Sequence, residues 1–361
     1  MTTYIPSVRA RAPLRLGLAG GGTDLSPYCD EYGGAVLNVT IDRYAYAFID
    51  PSADGQVHFR SEDLDLAEAF PCDVDSCAGA ALGLHAGVYR RIMTQFNDGK
   101  PLPLTVTTAT DAPPGSGLGT SSALVVALVE AYRNLLGLPL GLYDVAHLAW
   151  EIERKDLKLS GGKQDQYAAA FGGTNFIEFL AGDRVVVNPL RVPVAVMNEL
   201  ESSLVTCFTG VSRSSAGIIE EQQTRMVAAA VDAMAGLHQL KQDAVDMKLA
   251  LLRGDVAGMG AILNHSWLAK KRTAGGVSSA LIEEMLTTAA KLGALAGKVS
   301  GAGGGGFMMF LVPPERRAGF IRNMRALGND AAPVNFTQIG IESWRANDRR
   351  RGGPGGFGGI A

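Results

Sequence analysis

The chain of 361 residues has few of the residues that build metal or disulfide sites. Its four cysteines, Cys29, Cys72, Cys77 and Cys207, form no CxxC pair. A dithiol redox motif and a zinc ribbon are therefore not expected, and the four read as neutral thiols of a reducing cytosol. The five histidines, His58, His85, His147, His238 and His265, show no HExxH spacing, so a zinc centre built by the protein is not expected either. No run of about 18 uninterrupted apolar residues occurs, which speaks against a membrane span. The opening "MTTYIPSVRARAPLRLGLAG" has no apolar core of the secretory kind, so the protein is read as cytoplasmic. Net charge is −3 with the signs well mixed, and no basic stripe marks a nucleic-acid partner.

Two nucleotide signatures are missing as well. The stretch "DAPPGSGLGTSSAL", residues 111 to 124, leads from a strand-like segment into an apolar helix-like one. It has neither the GxxxxGK[ST] spacing nor the lysine of a Walker loop. The dinucleotide fingerprint GxGxxG fails too, because Gly115 and Gly117 are followed by Thr120 at the last position.

What is present is a globular composition, 47% hydrophobic and 19% charged, with 45 glycines. The length suggests two domains. Strand and helix patterns interchange without regular βαβ repetition, which predicts an α+β fold. "SSALVVALVEAYRNLLG" is apolar over most of its surface and predicts a buried central helix closed by Gly137. "VAVMNELESSLVTCFTGV" reads as strand material. The expected organisation is a first domain over 1–185, a second over 186–346, and a basic, then glycine-rich, disordered tail over 347–361.

Three glycine loops stand out. In the first, Pro114, Gly115, Ser116, Gly117, Leu118, Gly119, Thr120, Ser121 and Ser122 lie between strand and helix. Glycines let backbone N–H groups share a concavity, and a helix start adds unpaired donors and partial positive charge. The result is an anion site suited to phosphate. Backbone donors and a metal ion would carry the charge that a lysine carries elsewhere. A turn with N-capping hydroxyls is the plainer reading. In the second loop, "PLRLGLAGGGTDL", Gly20, Gly21 and Gly22 permit close approach, with Thr23 and Asp24 beside them. Asp24 is a sugar-hydroxyl acceptor or a helix cap, and Arg15 a functional or a snorkelling arginine. In the third, "KVSGAGGGGFMMF", the glycines face a ligand or another backbone. Asp165, in "SGGKQDQ", is a general base or an N-cap. Ser61, in "FRSED", lines an adenine pocket or an ordinary surface turn.

These segments, in this order, resemble the GHMP kinase family: "PLRLGLAGGGTDL", "PPGSGLGTSSAL", "SGGKQDQ" and "VSGAGGGGF". The form GGGTDL, with "KQDQYAAAFGG" and "FTGVSRSS", looks most like the family's bacterial heptose kinases. The resemblance implies a two-domain fold with the active site in the interdomain cleft, and ATP and Mg²⁺ as cofactors. It implies phosphorylation of the anomeric C1 hydroxyl of D-glycero-D-manno-heptose 7-phosphate, on the way to GDP-heptose and cell-surface polysaccharide. An unphosphorylated sugar such as fucose, or a non-catalytic sensor on the same fold, are the alternatives. By the same resemblance Asp165 and Arg15 are catalytic, and Thr120 and Glu153 hold the metal, with Ser121 a substitute for Thr120. Asp24 binds the sugar. For the sugar's remote phosphate the candidates are Arg213 with Gly210, and Lys270 and Lys271. Gly303 and Gly304 complete the substrate set. No oligomeric state is read.

Overall fold

The computed structural model describes residues 5–211 and 216–346. Its strands are β1 (Val8–Ala19), β2 (Gly34–Pro51), β3 (Val57–Ser61), β4 (Leu66–Phe70), β5 (Leu104–Thr110), β6 (Thr174–Leu180), β7 (Arg184–Pro189), β8 (Leu204–Phe208), β9 (Ala296–Val299), β10 (Phe307–Leu311), β11 (Asp330–Pro333) and β12 (Glu342–Arg345). Among the described residues they form two sheets. The larger runs β12-β1-β2-β5-β3-β4, with β6 on another stretch of β2 and β7 beyond it. Only the β3–β5 pairing in it is parallel. The smaller runs β11-β8-β10-β9 and is antiparallel. This is the expected α+β architecture.

Helix Thr120–Leu136 is the buried element its apolar surface predicts, and it packs on β1 and β2. Val125, Val126, Leu128 and Val129 are fully buried, each such side chain contributing about 1.5–3 kcal/mol. Gly137 ends the helix in the left-handed region, its N–H bonded to the Arg133 carbonyl. Strand β1 is buried almost continuously from Ala12 to Leu16, not alternately. The reason is cover on both faces: helix Thr120–Leu136 lies against it, and so does helix Val231–Arg253 from the second half of the chain. Arg15 is thereby held in an apolar strand beside a register shift at Pro13/Leu14.

Two expectations need correction. A boundary at 185/186 falls inside β7, which pairs with β6, and β12 returns from the far end of the chain to pair with β1. The C-terminal segment therefore closes the N-terminal sheet. "VAVMNELESSLVTCFTGV" is not mostly strand: after Pro193 it forms helix Val194–Ser203, and only Leu204–Phe208 is β8. A short apolar run does not reveal its period, and Pro193 at the N-cap favours the helix. The tail over 347–361 lies outside the described residues. No helix among those described is long and apolar enough to cross a membrane.

Candidate active site

The first glycine loop delivers its donors as the sequence suggests. Gly115, Gly117 and Gly119 all have positive φ, and Gly119 is the N-cap of helix Thr120–Leu136 at φ 77°. No side chain caps that helix, and its first internal bond runs from Ala123 N–H to the Gly119 carbonyl. The N–H groups of Thr120, Ser121 and Ser122 precede it and are left for a ligand. They open on a cleft of about 300 Å³ lined by residues of both halves, among them Arg15, Ser121, Glu153, Asp165, Lys270 and Gly301. The loop thus fits the polyphosphate of a nucleotide. Pro114 is an exposed flank, while Leu118 is buried and its carbonyl accepts from Arg15 N–H. Ser61 does not line the cleft and is not itself in a surface turn: it is the buried last residue of β3, and the exposed turn follows it.

Arg15 and Asp165, 150 positions apart, meet at the floor of this cleft. Arg15 donates from Nε to Asp165 Oδ1 at 2.8 Å, and Nη2 lies 2.6 Å from the same oxygen. Arg15 Nη1 donates to the Gly117 carbonyl at 2.6 Å. The arginine is buried and so ties the carboxylate to the first glycine loop. Asp165 is the second residue of helix Gln164–Phe171, whose N-cap is Lys163, so the cap reading of Asp165 fails. A Cβ on Gly119 would lie 3.2 Å from Asp165 Cγ and 3.4 Å from Oδ2, so glycine there keeps Oδ2 accessible.

The cap of that helix comes from the second glycine loop. Asp24 Oδ2 accepts from the N–H groups of Lys163 and Gln164 at 3.0 and 3.1 Å. Its Oδ1 accepts from Gly22 N–H and Gln164 Nε2, both at 3.1 Å. A carboxylate at a helix N-terminus is favoured by the helix dipole. Gly162 is obligatory because a Cβ would come within 1.9 Å of Asp24 Oδ2. Asp24 lines the cleft and also fixes the segment that bears Asp165.

Glu153 sits in a one-turn π-helix, Ile152–Asp156, and is itself wholly buried beside the first glycine loop. Such widened turns recur at functional sites. Burial pushes its carboxyl pKa up, against lowering by Arg154, Gln166 and Ser122. Ser122 Oγ donates to Glu153 Oε1 at 3.1 Å, and Gln166 Nε2 bonds both Ser122 Oγ and Glu153 Oε2. Thr120, expected as the hydroxyl ligand, is buried with its Oγ1 2.8 Å from Ser116 Oγ. Ser121 is exposed to the cleft, and no hydrogen bond of its hydroxyl is found among the described residues. One buried carboxylate and one free hydroxyl beside phosphate donors fit a Mg²⁺ that keeps most of its ligands as phosphate and water.

The remaining candidates divide. Lys270 is buried at the cleft, donating to the Gly21 carbonyl at 2.8 Å. A Cβ on Gly22 would lie 3.1 Å from its Nζ, and one on Gly20 would strike the Ala35 carbonyl. Thr23, which the sequence places with Gly20, Gly21, Gly22 and Asp24 as a candidate substrate contact, is instead fully buried, with Oγ1 donating to the carbonyls of Gly20 or Ala35. Lys271 turns away from the cleft to Glu283 at 3.0 Å. Gly303 and Gly304 are consumed by the turn Gly275–Val277: a Cβ on Gly303 would lie 2.6 Å from the Val277 carbonyl, and Gly304 N–H bonds that carbonyl at 2.8 Å. Gly210 has open space around it, and Arg213 lies outside the described residues. Sequence reasoning missed Gln164, Gln166, Lys298, and Ser300, whose Oγ accepts from Arg15 Nη1 at 3.4 Å. The two glutamines flank Asp165 inside the "SGGKQDQ" segment, but as uncharged amides neither was given a role there.

The fold and the site define an ATP-dependent phosphotransferase of the two-domain kinase kind, and the comparisons agree. "GHMP kinases N terminal domain" matches residues 83–173 and "GHMP kinases C terminal" matches 247–330. The chain is 42% identical over 339 residues to the D-glycero-alpha-D-manno-heptose 7-phosphate kinase of Campylobacter jejuni, covering 94% of this chain and 99% of that one. It is also 42% identical to the crystal structure of a D-glycero-D-manno-heptose 1-phosphate kinase from Bacteroides thetaiotaomicron, with a TM-score of 0.80 over 94% and 99% of the two chains. Galactokinase of Lactococcus lactis, at 18% identity and TM-score 0.72, shares the fold. The protein belongs to the GHMP kinase family.

Proposed function

We propose that the protein transfers the γ-phosphoryl group of ATP to the anomeric C1 hydroxyl of D-glycero-D-manno-heptose 7-phosphate, a cytoplasmic step toward GDP-activated heptose. The observation that carries the chemistry is the Arg15–Asp165 pair, set against the phosphate loop through Gly117 and Gly119. The heptose phosphate comes from the relatives that share 42% of the sequence.

Phosphoryl transfer asks mainly for positioning and for neutralised charge. The N–H groups of Thr120, Ser121 and Ser122 would hold the β- and γ-phosphates. Glu153 and the Ser121 hydroxyl would hold Mg²⁺, with Ser122 and Gln166 orienting the carboxylate. When bound, the ion offsets the charge between the phosphates. Arg15 engages Oδ1 of Asp165, so Oδ2 is the oxygen presented to the sugar hydroxyl. Asp165 accepts that hydrogen bond and takes the proton as the bond to phosphorus forms. A positioned base is worth about 10² to 10⁴ in rate. Lys270 supplies positive charge on the acceptor side of the cleft.

The test is incubation of purified protein with ATP, Mg²⁺ and a panel of sugars, following ADP release and locating the new phosphate by NMR. Transfer to C1 of the heptose 7-phosphate supports the reading. Faster use of fucose or another unphosphorylated sugar would replace it, and nucleotide binding without turnover on any sugar would favour the sensor.

A further inference from the structure

Beside the main cleft lies a small chamber where β1, β9 and helix Val256–Lys271 meet. Its lining includes Arg15, Gln164, Ser266, Lys270, Lys298 and Gly301. Arg15, Gln164, Lys270 and Gly301 also line the cleft, so the two spaces share a wall. The chamber's free volume is about 20 Å³, enough for a single oxygen-sized group. Ser266 and Lys270, four positions apart on one helix, present to the same side. Lys298 faces them from β9.

The chemistry of this lining is one-sided. Three of its side chains are cationic and no carboxylate lines it. Arg15 is engaged by Asp165, but among the described residues the two lysines bond only backbone carbonyls: Lys270 to Gly21 at 2.8 Å, Lys298 to Leu18 at 3.3 Å. Both are nine-tenths or more buried. Ser266 is 1% exposed, and its hydroxyl has no partner among the described residues. Buried charges are normally paired, and buried hydroxyls bonded. Two buried amines and a free hydroxyl thus surround an oxygen-sized space with no anion in its lining; the carboxylates that act on the lysines, Asp243 and Asp24, lie outside it.

We propose that Lys298, with Lys270 and Ser266, forms an anion subsite that receives one oxygen of the acceptor's own phosphate. This rests on the sugar-phosphate reading above and adds to it the residues that select the phosphorylated acceptor. Lys270 faces both spaces and bridges them. Lys298 lies behind it and adds a second charge that an unphosphorylated sugar would leave unused. Burial, reinforced by Lys270 and Arg15, lowers the Lys298 pKa to about 7, and burial lowers that of Lys270 to about 8. An incoming dianion would restore the charged forms.

The experiment measures kcat/KM for the heptose 7-phosphate and for the same heptose without its phosphate, in wild type, Lys298→Met and Lys298→Gln. In wild type the phosphorylated sugar is preferred. In both variants that preference falls roughly ten- to a hundredfold, the worth of a charge-assisted bond. Glutamine keeps a donor for the Leu18 carbonyl, so a merely structural lysine would be rescued by it and an anion-binding one would not. Melting curves establish that each variant is folded. Inorganic phosphate, used as the probe, competes with the sugar phosphate in wild type and loses affinity in both variants. A wild type that prefers the phosphorylated sugar, with variants that keep the full preference, overturns the subsite alone. A wild type indifferent to the phosphate overturns the sugar-phosphate reading as well.

Discussion

Two glycine-rich loops in this molecule are put to different uses. The loop over Gly115–Gly119 runs into an uncapped helix and leaves three N–H groups facing the cleft. The loop over Gly301–Gly306 spends its glycines on backbone packing. A Cβ on Gly301 would lie 2.9 Å from Gly117 Cα, one on Gly303 2.6 Å from the Val277 carbonyl, and one on Gly306 2.4 Å from the Ser116 carbonyl. Phe307 N–H bonds the Ser116 carbonyl at 2.7 Å, so the second loop clamps the first. Glycine density therefore says only that something comes close. Whether it is a ligand depends on which donors still lack a partner.

The strongest test of this contrast lies at the open end of the first loop. Asp165→Asn is nearly isosteric and leaves the phosphate donors in place. Turnover should fall by about 10²-fold or more, the range of a positioned base, while nucleotide affinity measured by calorimetry persists. Near wild-type turnover would leave Asp165 without a chemical role.

The loops themselves are compared by Gly119→Ala and Gly303→Ala. Both positions have positive φ, at 77° and 110°, so each variant should lose about 1–3 kcal/mol of stability in denaturant titration. Only Gly119→Ala should also lower kcat, because its methyl presses on Asp165. If Gly303→Ala raises KM for ATP at unchanged stability, the clamp is itself a ligand contact.

A smaller effect concerns the hydroxyls that open the helix. Ser121→Ala and Glu153→Gln should raise the magnesium concentration for half-maximal activity severalfold, as loss of an oxygen ligand does. Thr120→Ala should change it less, since Thr120 is occupied by Ser116. The reverse order would return the ligand role to Thr120.

How much of this was legible beforehand follows from where each signal resides. The buried central helix could be read because its apolar residues fill all sides of a 3.6-residue period. The first glycine loop could be read as a strand-to-helix turn with free donors, but glycines beside small hydroxyls also make plain capped turns, so its ligand was not legible from the segment alone. Arg15 and Asp165 each drew notice locally, with a functional and a bland reading left open, and only the resemblance favoured the catalytic one: nothing local in "PLRLG" or "KQDQ" shows that a strand and a helix 150 positions apart touch. Thr23 misled because a hydroxyl beside glycines looks the same in sequence whether it faces a ligand or ties two backbone segments. Gln166 and Lys298 were silent for a related reason. An amide or a lysine gains meaning only from what buries it, and burial here comes from distant elements. The return of β12 to β1 could not be foreseen, because four residues of strand pattern do not name their partner.

The smallest expected effect concerns the two buried lysines and distinguishes the acceptor side of the cleft from the phosphate loop. Lys298 is faced by Lys270, Arg15 and Asp243, and Lys270 by Asp24 and Arg15. Their pKa values in the fold, about 7 and about 8, lie below the ordinary lysine value of 10.5. Between these values and 10.5 the unfolded chain binds more protons than the folded one, so stability must rise with pH across that window. Below about pH 7 both states are protonated and the cost of burying the charges is fully present. Lys298→Met removes one of them and puts an apolar side chain of similar length in its place. Ligand-free Lys298→Met should therefore melt a few degrees above wild type at pH 6 to 7, with the gap closing toward pH 10. The measurement is a series of melting curves in steps of pH without phosphate in the buffer. A variant that melts below wild type throughout would show that Lys298 serves the fold through Leu18, and would remove the reason for expecting an anion beside it.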